Sequence, residues 1–546
     1  MPFTNRVLKT GLSPFIAKNS VRTSVPTKQK TQRGKFMKIA LTGATGNMGM
    51  QALNELLKIP EVQLRILVLP DDKRIKKIRN AHKKDRNRIE ILFGNIADSK
   101  ICERLTDGAD YVVNMAAVIP PHSDQHPEKA IECNETGADV LVSAIEKADP
   151  QPKFIHISTM ALYGNRNEKH LWGRVGDPLL ISPFDIYSLT KMRGEFRVLE
   201  SDIKYKAVLR QTAMLHSNML SDNMSDGLMF HTCFNAPLEW VTAEDSGLLI
   251  ANIIRRDTKE DLSQTFWGKV FNIGGGTVNC VTGYDVLNDG FEIIGGTVKN
   301  FFEPNFNATR NFHGMWFYDS NELNDLFCYQ RQSTTDFWNK FKKTHKILKC
   351  GKIVPKRWIK RLAIMRLFKD PNSPRYWYKH KDEAKMLAYF GGSKTYESIK
   401  RDWPEFPLLR FGKDPSGADV DYKKLKDKSS SKLPKIGFDP DSEVSFADLA
   451  TVAELHGGKL LSQNGSLCDK LEWENSDGEK FFAKGTTVLA GHWLNPSYKR
   501  YCWDFDRLSK TDKIYADVWY DSHGKEENNF YYYDGNFAAH YEKIDK

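Results

Sequence analysis

The sequence predicts an α/β protein with a doubly wound parallel sheet, a smaller substrate lobe and an appended C-terminal region of α+β or β-rich character. Short, nearly continuous apolar runs alternate with helical segments from residue 37 to about residue 160. Such runs are typical of strands buried on both faces of a parallel sheet. A glycine-rich turn directly follows the first run, and the 546 residues allow two to four domains with substantial cores.

Seven strands are predicted for the sheet. They are KIALTG, LRILVL, IEILFG, DYVVNMAA and KFIHIS, followed later by YKAVLRQT and KVFNIGG. The segments between and after them have helical apolar spacing, as in MGMQALNELLK, DKRIKKIRNAHK, SKICERL, NETGADVLVSAIEKA and SGLLIANIIRR. Alternation of strand and helix places helices on both faces of the sheet.

Composition divides the chain into five predicted parts. They are a disordered basic leader (1–36), the α/β domain with its substrate lobe (37–310), a basic, aromatic-rich and mostly helical extension (311–422), a linker (423–436) and a small aromatic-rich β domain (437–546). In the last part, strand-like stretches are KLEWEN, KFFAKG, TTVLAGHW, KIYADVWYD and NNFYYYDG.

The net charge of +11 is unevenly distributed. Residues 1–36 carry eight Lys or Arg and no acid, which leaves +3 for the other 510 residues. Near balance there argues against a nucleic-acid partner. The acid-free, Ser/Thr-rich leader is typical of an organelle transit peptide. The competing interpretation, which we adopt, is a natural start at Met37 and a cytoplasmic protein.

Two further features narrow the class of protein. No apolar run reaches the length of about eighteen residues that crosses a bilayer, so no membrane span is predicted. The eight cysteines form no CxxC pair, which favours reduced thiols over a disulfide framework.

The glycine-rich turn is TGATGNMG, residues 42–49. Gly43 and Gly46 would let a pyrophosphate approach the backbone N–H groups, and Gly49 would let the following helix pack closely on the sheet. The alternative is an ordinary glycine-rich turn between a strand and a helix. The residues predicted to contact a cofactor here are Gly43, Thr45, Gly46, Asn47, Met48 and Gly49.

A second motif is YSLTK, from Tyr187 to Lys191. A spacing of four puts both side chains on one helix face, where the ammonium would lower the pKa of the phenol. Such a tyrosine can exchange a proton with a substrate oxygen. Some twenty-eight residues upstream, a predicted strand ends on Ser158 and Thr159, at the edge where α/β sheets bind their ligands. Taken alone, YxxxK more often marks a surface helix.

Four stretches, in this order and spacing, resemble the extended short-chain dehydrogenase/reductases, the branch of NAD(P)-dependent epimerases and dehydratases. They are TGATGNMG, NMAA (114–117), STMALYG (158–164) and YSLTK (187–191). The resemblance covers about residues 37–310 and implies a Rossmann fold, an enzyme and a nicotinamide cofactor.

The resemblance also implies residue roles. Tyr187 would be the catalytic acid/base, Lys191 would additionally bind the nicotinamide ribose, and Thr159 would hydrogen-bond the reacting oxygen. The other family positions are Asn95 and Ile96 at the adenine, Ala116 and Ala117 along the cofactor, Asn134 at the start of the following helix, and Asp245 in a structural role.

Departures from the family's residue pattern narrow the range of reactions that this sequence would catalyse. Met160 and Ala161 stand where sugar-nucleotide 4,6-dehydratases have an acid pair, so dehydration would lack its general acid and base. Ala213 replaces an asparagine of many sugar-nucleotide enzymes. Hydride transfer between the nicotinamide and a carbonyl or alcohol remains, with Tyr187 as acid/base. The alternatives are an epimerase with tightly bound NAD, and a non-catalytic dinucleotide-sensing or assembly protein. We expect a small-molecule substrate, and a homodimer is possible.

Cofactor choice depends on the end of the second strand. Asp71 and Asp72 could bind the ribose hydroxyls of NAD, whereas Lys73 and Arg74 could hold the phosphate of NADP. The basic run that begins at Lys73 favours NADP, although it could equally be a solvated helix face.

Two C-terminal features have competing interpretations. LEWENSDGEKFFAKGTTVLAGHWLNPS resembles a zinc-ribbon-type module whose ligand positions are Asn475, Glu479, Leu494 and Ser497. None is Cys or His, so we predict no metal. PKRWIKRLAIMRLFK is basic and amphipathic, as in a membrane-surface helix, but such a stripe more often faces a core.

Overall fold

The computed structural model describes residues 36–166, 169–219, 227–409, 444–493 and 502–532. The leader up to residue 35 and the predicted linker 423–436 lie outside these ranges. The described residues from Met37 onward belong to one compact unit. The predicted domain boundaries within it stay a prediction.

A seven-stranded sheet organises the described residues between Met37 and Ile273. Its strands are β1 (Met37–Thr42), β2 (Val62–Val68), β3 (Ile89–Phe93), β4 (Tyr111–Asn114), β5 (Lys153–Thr159), β6 (Lys206–Gln211) and β7 (Val270–Ile273). They lie in the order β3-β2-β1-β4-β5-β6-β7, and every neighbouring pair is parallel. All seven predicted strands are therefore confirmed.

Helices cover both faces of this sheet. They are α1 (Asn47–Leu56), α2 (Ile75–Ala81), α3 (Ser99–Thr106), α4 (Gly137–Lys147), α5 (Ile186–Leu199) and α6 (Ala243–Asp257). Buried residues of α1, α2 and α6 share one apolar core with the sheet, and those of α3, α4 and α5 share another. Two cores on opposite faces confirm the doubly wound Rossmann architecture.

Shorter elements continue the chain. Three two-stranded sheets join Trp172–Gly173 to Trp316–Phe317, Met214–Leu215 to Val241–Thr242, and Pro237–Glu239 to Cys280–Thr282. The helices are His122–Gln125, Pro127–Ala130, Gly283–Ile293, Val298–Phe301, Ser320–Phe327, Thr334–Thr344, Lys356–Ile359, Met365–Leu367, Pro374–His380, Glu383–Phe390 and Ser393–Ser398. Two π-helical turns lie at Ile131–Thr136 and Lys360–Ile364. The described part of the extension is thus mostly helical.

The C-terminal region combines a small sheet with helices. Strands β8 (Lys459–Leu460), β9 (Lys470–Glu474) and β10 (Lys480–Lys484) form an antiparallel sheet, and Cys502–Trp503 pairs with Tyr531–Tyr532. The helices are Phe446–Leu455, Gly485–Leu489, Phe505–Thr511 and Lys513–Trp519. This mixture confirms the predicted α+β character.

Two of the predicted strands here are wrong, because TTVLAGHW and KIYADVWYD contain helices. In the second, the Asp512 carboxylate caps the helix by accepting from the backbone N–H of Ile514 and Tyr515. Ile514 and Val518 are four residues apart and both are buried. Local capping and a helical apolar spacing therefore outweigh the β-propensity of the Ile, Tyr, Val and Trp side chains.

One apolar core joins the C-terminal region to α5. It contains Leu179 and Met192 together with Leu449, Trp473 and Trp493. Aromatic side chains of the C-terminal region are therefore part of the core beneath α5.

Two of the four zinc-ribbon positions are described. The Asn475 amide donates to the Glu479 carboxylate over 3.1 Å, which helps close the turn between β9 and β10. Leu494 and Ser497 lie outside the described residues. Within the described ranges, the helices are too short or too polar to cross a membrane.

Candidate dinucleotide and catalytic site

The glycine-rich turn packs against backbone on two sides. Gly43 has a φ of 67°, and a Cβ there would lie 2.6 Å from the carbonyl carbon of Met115. A Cβ on Gly49 would lie 2.1 Å from the carbonyl oxygen of Gly43. Side chains at both positions are therefore excluded by the close approach of β4 and α1.

Helix α1 begins directly after this turn, with Gly46 as its N-cap residue. No described side chain caps it, so the first-turn N–H groups of Asn47 and Met48 remain available to an anion. A narrow turn and an uncapped helix N-terminus suit a pyrophosphate. The residues present thus fit a dinucleotide.

An acid is anchored beside the turn at the end of β2. The Thr45 hydroxyl donates to the Asp72 carboxylate over 2.6 Å, and the Arg74 guanidinium lies 2.8 Å from the same carboxylate. Burial acts to raise the pKa of Asp72, but the hydrogen bonds from Arg74 and Thr45 lower it to about 2. Asp72 is therefore ionised, while Asp71 and Lys73 are exposed.

The other predicted cofactor positions lie at the carboxyl ends of β3 and β4. Asn95 donates to Glu132 over 2.9 Å, and Ile96 is buried against α3 and α4. Ala116 and Ala117 follow β4 and are half-buried. All of them lie at the edge of the sheet that carries the glycine turn, because the strands are parallel.

Two residues that stand in the quoted motifs, but for which no role was predicted, hold this edge together. The Thr42 hydroxyl accepts from the backbone N–H of Met115 and Ala116, each over 3.1 Å, and donates to the Asn114 amide oxygen over 2.6 Å. These bonds fix the end of β4 against the end of β1. The signal was present in the polar residues that close each apolar run.

Asn134 anchors the start of the helical segment after β4. Its side chain accepts from the Val118 N–H over 2.8 Å and donates to the Val118 carbonyl over 2.9 Å. It also donates to the Thr190 hydroxyl on α5 over 3.1 Å. Asn134 thereby ties the loop after Ala117 to the helix that carries Tyr187.

Tyr187 and Lys191 both reach the carboxyl end of β5 from α5. Tyr187 lies beside Thr159, whose side chain acts to lower the pKa of the phenol. The Lys191 ammonium is buried and donates to the Ile157 carbonyl over 2.6 Å. The structure therefore brings all three predicted catalytic residues to the same strand end.

The protonation of these groups differs from the expected pattern. Burial raises the pKa of Tyr187 to about 12, although the neighbouring Thr159 side chain acts in the opposite direction. Burial also lowers the pKa of Lys191 to about 8. The expectation that Lys191 depresses the pKa of Tyr187 is wrong for this conformation, because the ammonium binds the Ile157 carbonyl.

At the start of α5, an acid contacts a histidine from a later part of the chain, and the YSLTK motif includes neither. The Asp185 carboxylate caps α5 by accepting from the Ser188 N–H over 2.9 Å. His313 lies 3.3 Å from the same carboxylate. Asp185 adds a negative charge near Tyr187, which also raises the pKa of the phenol.

Beyond Lys191, the same helix enters a fully buried group of polar side chains, here called the Glu195 cluster. The Arg210 guanidinium on β6 lies 2.6 Å from the Glu195 carboxylate, and His492 of the C-terminal region lies 2.8 Å from it. Ser158, the neighbour of Thr159, also donates to Glu195. The cluster consists of Ser158, Tyr163, Glu195, Arg210 and His492.

Arg210 is the hub of this cluster. It donates to the Tyr163 hydroxyl and to the Ala490 carbonyl, each over 2.7 Å. Although burial acts to raise the pKa of Glu195, Arg210 holds it well below its ordinary value. Burial lowers the pKa of His492, so a neutral imidazole donates to the carboxylate through Nε2. The sequence offered one hint, since Glu195 follows Tyr187 and Lys191 at a further spacing of four.

Comparison with known proteins concerns the segment that contains the four motifs. Residues 39–223 match the model of the NAD dependent epimerase/dehydratase family. All four motifs lie inside this segment. The match confirms, for these residues, the resemblance to the extended short-chain dehydrogenase/reductases. The family with which this segment matches is described as NAD dependent.

Similarity to individual proteins is distant. D-erythronate dehydrogenase of Haemophilus influenzae is 24% identical over 129 residues, which are 23% of this chain and 39% of that protein. A trifunctional UDP-glucose 4,6-dehydratase, 3,5-epimerase and reductase of Arabidopsis thaliana is 29% identical over 167 residues, which are 30% of this chain and 24% of that protein. The chain thus spans well under half the length of these curated relatives.

Among solved structures, dTDP-glucose 4,6-dehydratase from Bacillus anthracis in complex with NAD is similar to 58% of this chain. The alignment covers 98% of that chain, with 17% identity and a TM-score of 0.44.

Proposed function

We propose that the protein is an NAD-dependent oxidoreductase that interconverts a carbonyl and an alcohol on a small-molecule substrate, with Tyr187 as the acid/base. The placement of Tyr187 beside Thr159 at the carboxyl end of β5 carries this proposal. Only β4 separates β5 from β1, so the pair lies roughly 10 Å along the sheet from the glycine turn. That spacing suits a substrate held beside a dinucleotide.

The residues have distinct tasks in this proposal. When bound, the nicotinamide supplies or accepts the hydride. Tyr187 is a neutral phenol at pH 7 and donates its proton to the substrate oxygen during reduction. Thr159 orients that oxygen through its hydroxyl. Lys191 holds the cofactor ribose through its ammonium.

We propose NAD rather than NADP because of Asp72. Its carboxylate is ionised and fixed to Thr45 beside the glycine turn, where it would accept from ribose hydroxyls and repel a 2′-phosphate. Arg74, one of the two cations that favoured NADP, is paired with this carboxylate.

Dinucleotide binding tests this choice. Asp72→Ala should weaken NADH binding by about tenfold, as loss of a charge-assisted hydrogen bond predicts. It should also narrow the difference between the affinities for NADH and NADPH. Asp71→Ala is the matched control, because Asp71 is its exposed neighbour. Both would be titrated by protein fluorescence quenching. Tighter binding of NADPH than of NADH by the unsubstituted protein would contradict the choice of NAD.

Turnover tests the catalytic role. Tyr187→Phe should lower turnover by roughly 10²- to 10⁴-fold, the usual contribution of a general acid, and leave NADH affinity unchanged. Aldehyde, ketone and sugar-nucleotide substrates would be screened by NADH oxidation, with the exposed Tyr378→Phe as control. Unchanged turnover in Tyr187→Phe would refute the acid/base assignment.

The epimerase alternative predicts a different cofactor state. An epimerase regenerates its cofactor in each cycle and retains it tightly. Stoichiometric NAD⁺ released only on denaturation of dialysed protein would favour that reaction, whereas reversible exchange would favour the oxidoreductase.

A further inference from the structure

The positive charge of the described chain is concentrated in residues 340–369, here called the basic segment. This segment contains twelve Lys or Arg and no Asp or Glu. Its formal charge therefore exceeds the net charge of +11 that the whole chain carries. Two of its cations pair with carboxylates, Lys340 with Glu244 and Lys360 with Glu303. The segment therefore keeps a strong positive potential.

Large apolar side chains are exposed within the same segment. Among the described residues, five of the fourteen exposed large hydrophobic side chains occur between positions 347 and 362. Their exposed fractions are 80% for Ile347, 86% for Ile353, 42% for Val354, 51% for Trp358 and 63% for Leu362. Scattered single exposures need no explanation, but such a concentration marks an interaction surface.

The rest of the segment is anchored in the fold. Ile364 and Phe368 are buried, and the Phe368 ring stacks on Phe230 with a centroid distance of 4.4 Å. The predicted core-facing stripe therefore exists, but it accounts for only one side of the helical turns from Lys356 to Leu367.

The opposite side combines two kinds of side chain. Trp358 and Leu362 are four residues apart, as are their neighbours Arg357 and Arg361, and all four are exposed. Helical spacing therefore places two apolar and two cationic side chains on adjoining strips of one surface. An indole and a leucine beside guanidinium groups match the boundary between lipid headgroups and acyl chains.

We propose that the exposed face of the basic segment docks the protein on an anionic phospholipid bilayer. The cations would bind the headgroups, and Trp358, Leu362 and Ile353 would insert at the acyl boundary. A nucleic acid would engage the same cations through its phosphates but would gain nothing from exposed Ile, Val and Leu. The lipid surface uses both features, and this attachment is independent of the proposed reaction.

Vesicle sedimentation with the full chain tests the proposal. Binding is expected to phosphatidylcholine vesicles that contain phosphatidylserine and not to phosphatidylcholine alone, and it should weaken as salt is raised. Arg357→Glu with Arg361→Glu should weaken binding at least tenfold, since each cation near an anionic surface contributes roughly a fivefold factor. The double variant with Trp358→Ala and Leu362→Ala should also weaken vesicle binding, although it leaves the charge of the protein unchanged.

Matched controls make the result specific. Lys76→Glu with Lys77→Glu reverses two exposed cations on α2, outside the basic segment, and should leave vesicle binding within twofold. Thermal unfolding would show that each variant is folded. The proposal is overturned if the unsubstituted chain does not bind the anionic vesicles, or if the apolar pair has no effect. It is also overturned if duplex DNA displaces the protein from the vesicles at physiological salt.

Discussion

In the Glu195 cluster, Arg210 lies inside the core and meets a carboxylate, a phenol and a carbonyl. In the basic segment, by contrast, Arg357 and Arg361 face solvent beside exposed apolar side chains. A buried cation must have all of its partners within the fold, because desolvation removes the alternative of water. An exposed cation needs none and remains available to a partner from outside. Burial thus separates the cations that hold the fold from those that can serve recognition.

Breaking the buried pair should give the largest effect on stability. Arg210→Met leaves the Glu195 carboxylate buried without its main partner and should lower the free energy of unfolding by about 3–5 kcal/mol. Urea denaturation would measure it. The double variant with Glu195→Leu should recover part of the loss, because no buried charge is then unpaired.

A surface pair is the control for this prediction. Lys58→Met removes an exposed partner of Glu55 and should change the free energy of unfolding by less than about 1 kcal/mol. Equal losses in Arg210→Met and Lys58→Met would show that burial does not distinguish the two kinds of cation.

Lys191 is intermediate between these two kinds of cation, because it is buried but is bonded to a carbonyl and not to a carboxylate. Its pKa is about 8 in the folded protein, below the ordinary value of 10.5. Between these values the unfolded chain binds more protons, so stability should rise with pH from about 8 to 10.5, by about 3 kcal/mol.

The difference between the unsubstituted protein and Lys191→Met isolates this contribution, because Lys206 has a similarly lowered pKa of about 8 and is present in both. Denaturation at several pH values would measure it. A difference that does not vary with pH would mean that Lys191 keeps its ordinary pKa in the fold.

The smallest effect on the free energy of unfolding is expected for an exposed cation of the basic segment. Arg361→Gln should change the free energy of unfolding by less than about 0.5 kcal/mol, because the side chain is solvated in both states. A loss above 1 kcal/mol in urea denaturation would show that Arg361 has a structural role, and would weaken its assignment to a docking surface.

Sequence patterns were sufficient where structure is decided locally. All seven strands of the parallel sheet followed from apolar runs, and the glycine turn followed from steric needs at Gly43 and Gly49. The helix Lys513–Trp519 was mistaken for a strand because Tyr515, Val518 and Trp519 have high β-propensity, while the capping role of Asp512 was not recognised.

The Glu195 cluster was beyond sequence reasoning for a different physical reason. Glu195 and His492 are 297 positions apart, and a lone glutamate in a helix with Arg193 and Arg197 nearby has the pattern of a solvated face. Only the packing of the C-terminal region against α5 makes it a buried residue. The pairing of Asp72 with Arg74 could not be predicted either. In the sequence, Asp71 is an equally good candidate for the acid, and Lys73 is an equally good candidate for the cation.

The separation of Glu195 from His492 also has a consequence for how the chain is made. Ribosomes add about 5–20 residues per second, so roughly 15–60 s pass between the synthesis of Glu195 and that of the residue that completes its burial. During that interval the nascent sheet must keep a charged, partly open surface beneath α5. Burial of Glu195 is therefore complete only after the C-terminal region has been made, and nascent chains that end before it are the ones that chaperones would be expected to hold.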